Sequence, residues 1–138
     1  MSEEKEIYIQ KEPDVEKAAR YGLHLADNAG FKSSTACLIS TSISELARNV
    51  YKYAGEGVIT IKVLSLEGKK GIKVVCDDNG PGIEDLELAM REGYSTSPKS
   101  LGVGLSGLKR MMDELEIDTE PGKGTKIIAY KWRMVNNN

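Results

Sequence analysis

The apolar positions change their period several times along the chain, and each change marks a new element. Residues 6–10 alternate charged and apolar side chains, the two-residue rhythm of a short edge strand. From Pro13 onward the rhythm is helical: Val15, Ala18, Ala19, Gly22, Ala26 and Ala29 share one face, and Gly30 supplies a stop. Ser33 and Ser34 are placed to cap a second helix whose inward stripe is Ile39, Ile43, Leu46, Ala47, Val50 and Ala54, ending at Gly55. Residues 58–65 and 72–77 are rich in branched side chains and predict two strands joined through Glu67-Gly68 as a hairpin.

After that second strand the run Asp77-Asp78-Asn79-Gly80-Pro81-Gly82 is expected not to continue a ladder, because it combines two glycines, a proline and turn-forming polar side chains. A short helix is predicted over 85–92, then a Ser/Thr/Pro-rich stretch over 93–100. A further helix runs from Gly104 towards Glu114 with Leu105, Leu108, Met111, Met112 and Leu115 inward. A hairpin closes the chain, with strands over 116–120 and 125–132 about Pro121-Gly122-Lys123-Gly124, before a frayed end at 136–138. Neither a repeat nor a linker divides the pattern, so residues 1–138 are expected to form one α/β domain.

Composition narrows the function classes. The 138 residues are 40% hydrophobic and 29% charged, an ordinary globular balance. A formal charge of −2 offers no broad field for nucleic acid or an anionic membrane, and neither is expected as a partner. No apolar run approaches a membrane-spanning length, and the opening Met-Ser-Glu-Glu-Lys-Glu is too acidic for a signal peptide. Cys37 and Cys76 both lie in apolar-patterned segments and are expected to be buried, reduced thiols. His24 falls off the apolar stripe, at the surface or facing a partner, and cannot complete a zinc site with them. These features predict a cytoplasmic protein.

Three groups of residues could carry chemistry. Glu45 and Asn49 stand four residues apart on the second helix, which puts both on one face about 5–6 Å apart at Cβ. A carboxylate there could take a proton from a hydroxyl, and an amide oxygen is a hard ligand suited to Mg²⁺; the same spacing also suits an ordinary polar flank. The loop from Asp78 through Gly80 and Gly82 allows close backbone approach to a ligand, with the Asp78 carboxylate free to accept a hydrogen bond; it would equally serve as a strand-to-helix turn. Gly102-Val103-Gly104-Leu105 stands at the mouth of a helix, where free N–H groups favour phosphate. The same stretch spells Gly102-x-Gly104-x-x-Gly107, but a Ser/Thr/Pro loop precedes it where the dinucleotide fingerprint requires a strand. No Gly-Lys-Ser/Thr sequence exists, which excludes a P-loop. Arg48 and the Met111-Met112 pair could face a partner or simply pack.

Taken in order, these segments resemble the boxes of the GHKL ATPase superfamily, whose members include gyrase, MutL and histidine kinases. Ser44-Glu45-Leu46-Ala47-Arg48-Asn49 is similar to the N box, Asp78-Asn79-Gly80-Pro81-Gly82 to the G1 box and Gly102-Val103-Gly104 to the G2 box. Gly122-Lys123-Gly124-Thr125 is similar to the last glycine box. Within the superfamily, ELARNVYKYAGEG, DDNGPGI, GYSTS and GLKRMMDE resemble the RsbT-type switch serine/threonine kinases of bacterial stressosomes, over about 7–132.

The resemblance implies an α+β fold of Bergerat type: a two-layer sandwich with a mixed, mostly antiparallel sheet and helices on one face. It implies ATP and Mg²⁺ as cofactors. Glu45 would be the catalytic base, Asn49 the metal ligand and Asp78 the acceptor for the adenine amino group, with Thr125 beside the adenine. Gly80, Gly82, Gly102, Val103, Gly104 and Leu105 would line the phosphates, 93–101 would form a lid over them, and Lys52 would reach them as the similarly placed residue does in histidine kinases. The implied substrate is a serine or threonine of a STAS-domain antagonist, with a downstream phosphatase as second partner. Ser100 stands where the G2 box often begins with another glycine. An anti-sigma factor kinase that sequesters a sigma factor is the alternative, and a non-catalytic module that uses ATP only to shape a binding surface is a further one. Glu45 argues against the last, because a pure binder needs no base beside Asn49.

Overall fold

Alternate residues of each strand point to one buried side, and this alternation sets the layers. The computed structural model describes residues 4–80 and 104–135. Five strands, β1 (Glu4–Ile9), β2 (Gly57–Leu66), β3 (Lys69–Asp78), β4 (Glu114–Glu120) and β5 (Gly124–Met134), form one sheet in the order β1-β2-β3-β5-β4. Every described pairing is antiparallel. Ile7 and Ile9, Ile59 and Ile61, Ile72, Val74 and Cys76, and Ile127 and Ala129 all enter one core. The helices α1 (Glu12–Asn28), α2 (Ser33–Asn49) and α3 (Gly104–Met111) supply Val15, Leu25, Ile39, Ile43, Leu46 and Leu108 to the same core. The two-layer sandwich with helices on one face is therefore present.

The other sheet face carries no described helix. There Trp132 lies against Gly71, so closely that a Cβ at Gly71 would come within 2.6 Å of its ring, and it stacks on Tyr130 at 5.8 Å. The Trp132 Nε1–H donates to Glu114 at 2.7 Å. Among the described residues no helix is long and apolar enough to cross a membrane.

The helix stripes follow the expected period with local differences. Gly22 lets α1 approach α2 so closely that a Cβ there would collide with Ile43, and Ser40 donates to the Ala19 carbonyl at 3.0 Å. Ala19 is only half-buried, and Leu25, one turn beyond Gly22, is buried instead. Lys32, not Ser33 or Ser34, occupies the capping position of α2; both serines lie inside its first turn. Cys37 is exposed, contrary to expectation: it stands two residues before Ile39, on the far side of the helix from the buried stripe. Cys76 is buried, and burial raises its thiol well above the ordinary value. His24 is exposed and paired with Asn28. The last helix stops at Met111, so Leu115 lies on β4 rather than on a helix, while Met112 is buried. The expected helix over 85–92, the stretch over 93–101, and Gly82, Gly102 and Val103 lie outside the described residues.

Candidate functional site

The end of α2 supplies the first half of the site. Leu46 and Ala47 are fully buried, and this anchors the helix with Glu45 beside them, only 3% exposed. Asn49, one turn further, is half-buried on the same flank. Arg48 Nη1 lies 3.4 Å from Glu45 Oε1, and its Nη2 donates to Ser44 Oγ at 3.1 Å. The helix then widens into a π-helical turn over Val50–Ala54, closed by the Gly55 N–H donating to the Val50 carbonyl at 2.9 Å. Such widened turns recur at functional sites. Lys52 projects from this turn and is exposed.

The second half is built around Asp78, the last residue of β3. Its Oδ1 accepts the Gly80 N–H at 2.9 Å, and it pairs in register with Thr125 of β5. Burial is the main influence on its carboxyl and pushes it above the ordinary value; the Gly80 and Thr125 backbone groups pull the other way. Glycines press in from three chain segments. Gly124 has φ +91°, and a Cβ on it would collide with the Asp78 carbonyl and lie 2.9 Å from Asn79 Cα. A Cβ on Gly80 would lie 2.6 Å from Ala54 Cβ, so this glycine lets the loop rest on the end of the π turn. A Cβ added at Gly57 of β2 would lie 3.1 Å from Asp78 Cβ. The sequence reading missed Gly57; its place immediately before a branched run, across the hairpin from Asp78, was the available signal. The Thr125 hydroxyl pairs with Thr119 at 2.9 Å, also unforeseen.

The Cys76 thiol, 3.9 Å from the Leu46 carbonyl, links β3 to α2, which also packs on α3. Gly104 opens α3, and the Leu105 side chain is buried in the core, so what Leu105 can offer a ligand is its backbone. A separate hollow of about 660 Å³ lies at the end of the open sheet face, floored by Val58 and Val75 and edged by Tyr8, Asp77 and Lys126. It meets the site at Ala54 and Asp78.

The sequence pattern of the family described as "Histidine kinase-, DNA gyrase B-, and HSP90-like ATPase" matches residues 38–134, spanning α2, β2, β3 and the closing hairpin. This chain belongs to that ATPase family. Among its relatives, the serine/threonine-protein kinase RsbT of Bacillus subtilis is 44% identical over 132 residues, covering 96% of this chain and 98% of its own. An anti-sigma F factor of Caldanaerobacter subterraneus is 38% identical over 99 residues, 68% of each chain. In fold, the chain is similar to full-length ShkA in complex with AMPPNP, with a TM-score of 0.54 at 15% identity, covering 89% of this chain and 31% of that one. It is also similar to the catalytic domain of histidine kinase ThkA in a nucleotide-free form, at a TM-score of 0.50 and 16% identity. These cover 92% of this chain and 95% of that one.

The donor set suits what an ATPase family requires. Among the described residues no group of three or more His, Cys, Asp or Glu side chains could enclose a metal ion. The end of α2 instead offers isolated hard oxygens, the usual protein share for Mg²⁺, whose remaining ligands come from phosphate and water. Asp78, whose Oδ1 already accepts the Gly80 N–H, keeps further carboxylate lone pairs able to accept a hydrogen bond from a ligand.

Proposed function

We propose that this chain is an ATP- and Mg²⁺-dependent serine/threonine protein kinase. It phosphorylates a STAS-domain antagonist in the cytoplasm and then exchanges partners to activate a downstream phosphatase in a bacterial stress cascade. The observation that carries the reading is Glu45, a carboxylate 3% exposed on the same helix flank as Asn49. The near full-length likeness to a serine/threonine kinase supports it.

Asn49 would hold Mg²⁺ through its amide oxygen, and the ion would supply the positive charge that offsets the phosphates of ATP, the phosphoryl donor. Glu45 accepts the proton of the attacking serine or threonine hydroxyl. Asp78 accepts a hydrogen bond from the adenine amino group, beside Thr125. Gly80, Gly104 and Leu105 present backbone to the nucleotide, and Lys52, on its exposed turn, is free to swing towards the phosphates. An anti-sigma factor kinase is the second reading, favoured by the anti-sigma F relatives, although those matches cover about two thirds of the chain.

Label transfer from γ-labelled ATP into a STAS-domain protein tests the reading. The parent is expected to transfer label to serine or threonine, and Glu45→Ala to lose roughly 10²–10⁴-fold while still binding ATP. Undiminished transfer by the variant would remove Glu45 from the mechanism. ATP binding without transfer by the parent would favour the binding-module reading, and capture of a sigma factor would favour the anti-sigma one.

A further inference from the structure

Arg48 contacts the buried carboxylate of the site directly, and the chemistry above gives it no task. The Glu45 side chain is 4% exposed and that of Arg48 37%, so the pair runs from the interior outward. Surface ion pairs three residues apart ordinarily contribute little, but here one member is desolvated and needs compensation. The guanidinium reaches Glu45 Oε1 at 3.4 Å with one nitrogen and Ser44 Oγ at 3.1 Å with the other. Two anchors on neighbouring residues fix the planar fork, and the fork in turn restricts rotation of the Glu45 carboxyl. An arginine also keeps its own protons throughout, so it can hold a base without competing for what the base receives.

We propose that Arg48 is a positioning residue for phosphoryl transfer: clamped to Ser44, it holds the Glu45 carboxylate in the orientation that receives the substrate hydroxyl's proton. The proposal rests on Glu45 being the base. Arg48 then acts through Glu45, and its removal lowers turnover without weakening the grip on ATP or on the protein substrate. A partner-facing arginine would do the reverse.

Steady-state label transfer separates the two, using the full chain, ATP–Mg²⁺ and a STAS-domain substrate. The variants are Arg48→Met, Arg48→Lys, Glu45→Ala and the Glu45→Ala/Arg48→Met pair. Arg48→Met is expected to lower kcat roughly ten- to a hundredfold, the scale of a misplaced catalytic group, with KM for both substrates within twofold. Arg48→Lys should recover part of that loss, and the double variant should be no slower than Glu45→Ala alone. A raised KM with unchanged kcat, or additive losses in the pair, would overturn the proposal. Should Arg48→Met fail to fold, Ser44→Ala releases the second anchor and is expected to lower kcat several-fold; an unchanged kcat there would also overturn it. The two readings fail differently: undiminished transfer by Glu45→Ala removes the base and this proposal with it. An inactive Glu45→Ala beside a fully active Arg48→Met removes only the positioning role.

Discussion

The ends of α2 and β3 each bring one carboxylate to the site, and the fold keeps the two in different ways. Glu45 is almost wholly buried within a helix and faces a guanidinium at 3.4 Å. Asp78 is half-buried at a strand end, and the described groups acting on it are the N–H groups of Gly80 and Thr125 and the neighbouring Asp77 carboxylate. A group that must be charged while a proton moves towards it gains from a counter-charge. A group that need only accept one hydrogen bond from a flat ligand gains more from shape and neutral donors. On the proposed roles, the difference would separate turnover from recognition, and the α2 variants above should act on turnover.

Asp78→Asn is the corresponding test at β3. An asparagine that keeps its oxygen towards the Gly80 N–H presents its own amino group to the adenine, donor against donor. An unmet buried donor costs about 1–3 kcal/mol, so ATP affinity should fall roughly 5- to 150-fold. Titration with ATP and label transfer at saturating ATP check this together: affinity should drop while the transfer rate at saturation largely returns. A loss confined to turnover would erase the division between the two carboxylates.

The next expected effect is on the frame around Asp78. Gly124→Ala forces a side chain into a left-handed backbone position and against the Asp78 carbonyl, and should destabilise by roughly 2–4 kcal/mol. Gly122 in the same turn has φ +81° but nothing within 4 Å of a Cβ, so Gly122→Ala should cost only the backbone strain, about 1 kcal/mol. Denaturant unfolding of both variants checks the contrast. Equal losses would mean that Gly124 serves the turn alone and not the cradle.

Much of this arrangement was legible in the sequence, because it depends on local period and on residues with restricted choices. Glu45 and Asn49 share a flank at any four-residue helical spacing, and Asn79-Gly80 could not continue a strand, although the ladder runs one residue past its expected end and takes in Asp78, paired with Gly57 and Thr125. What escaped depends on contacts across the chain. The Gly57 approach to Asp78 follows from the β2–β3 register, and the Thr119–Thr125 hydroxyl pair from the β4–β5 register. The Arg48 clamp is a matter of side-chain rotamer, which spacing leaves open. Cys37 was misplaced because apolar neighbours drew it into the stripe, whereas the angular offset from Ile39 turns it outward. The α2 cap failed on the difference of one residue, an uncertainty usual at helix ends.

The smallest expected effect concerns stability against pH, and its sign tests the environment of Asp78 independently of any ligand. Burial raises the folded Asp78 carboxyl above the 3.8 of an ordinary aspartate. Between 3.8 and that raised value the folded chain holds more protons than the unfolded chain. Its contribution to stability is therefore fully present below 3.8 and is lost as pH rises through the folded value. Asp14 runs the other way. The Gln10 and Lys11 N–H groups, each 2.9 Å from its Oδ2, lower its carboxyl, so its contribution is present above 3.8 and lost as pH falls through its lower folded value. Asp78→Asn cancels only the first of these trends. Unfolding free energies of parent and variant across the acid range should thus show the variant gaining on the parent as pH climbs past 3.8 and levelling off above. A constant difference would mean that the backbone donors balance burial at Asp78, and an opposite one that they outweigh it. The contrast between Glu45 and Asp78 would then lie only in what they touch.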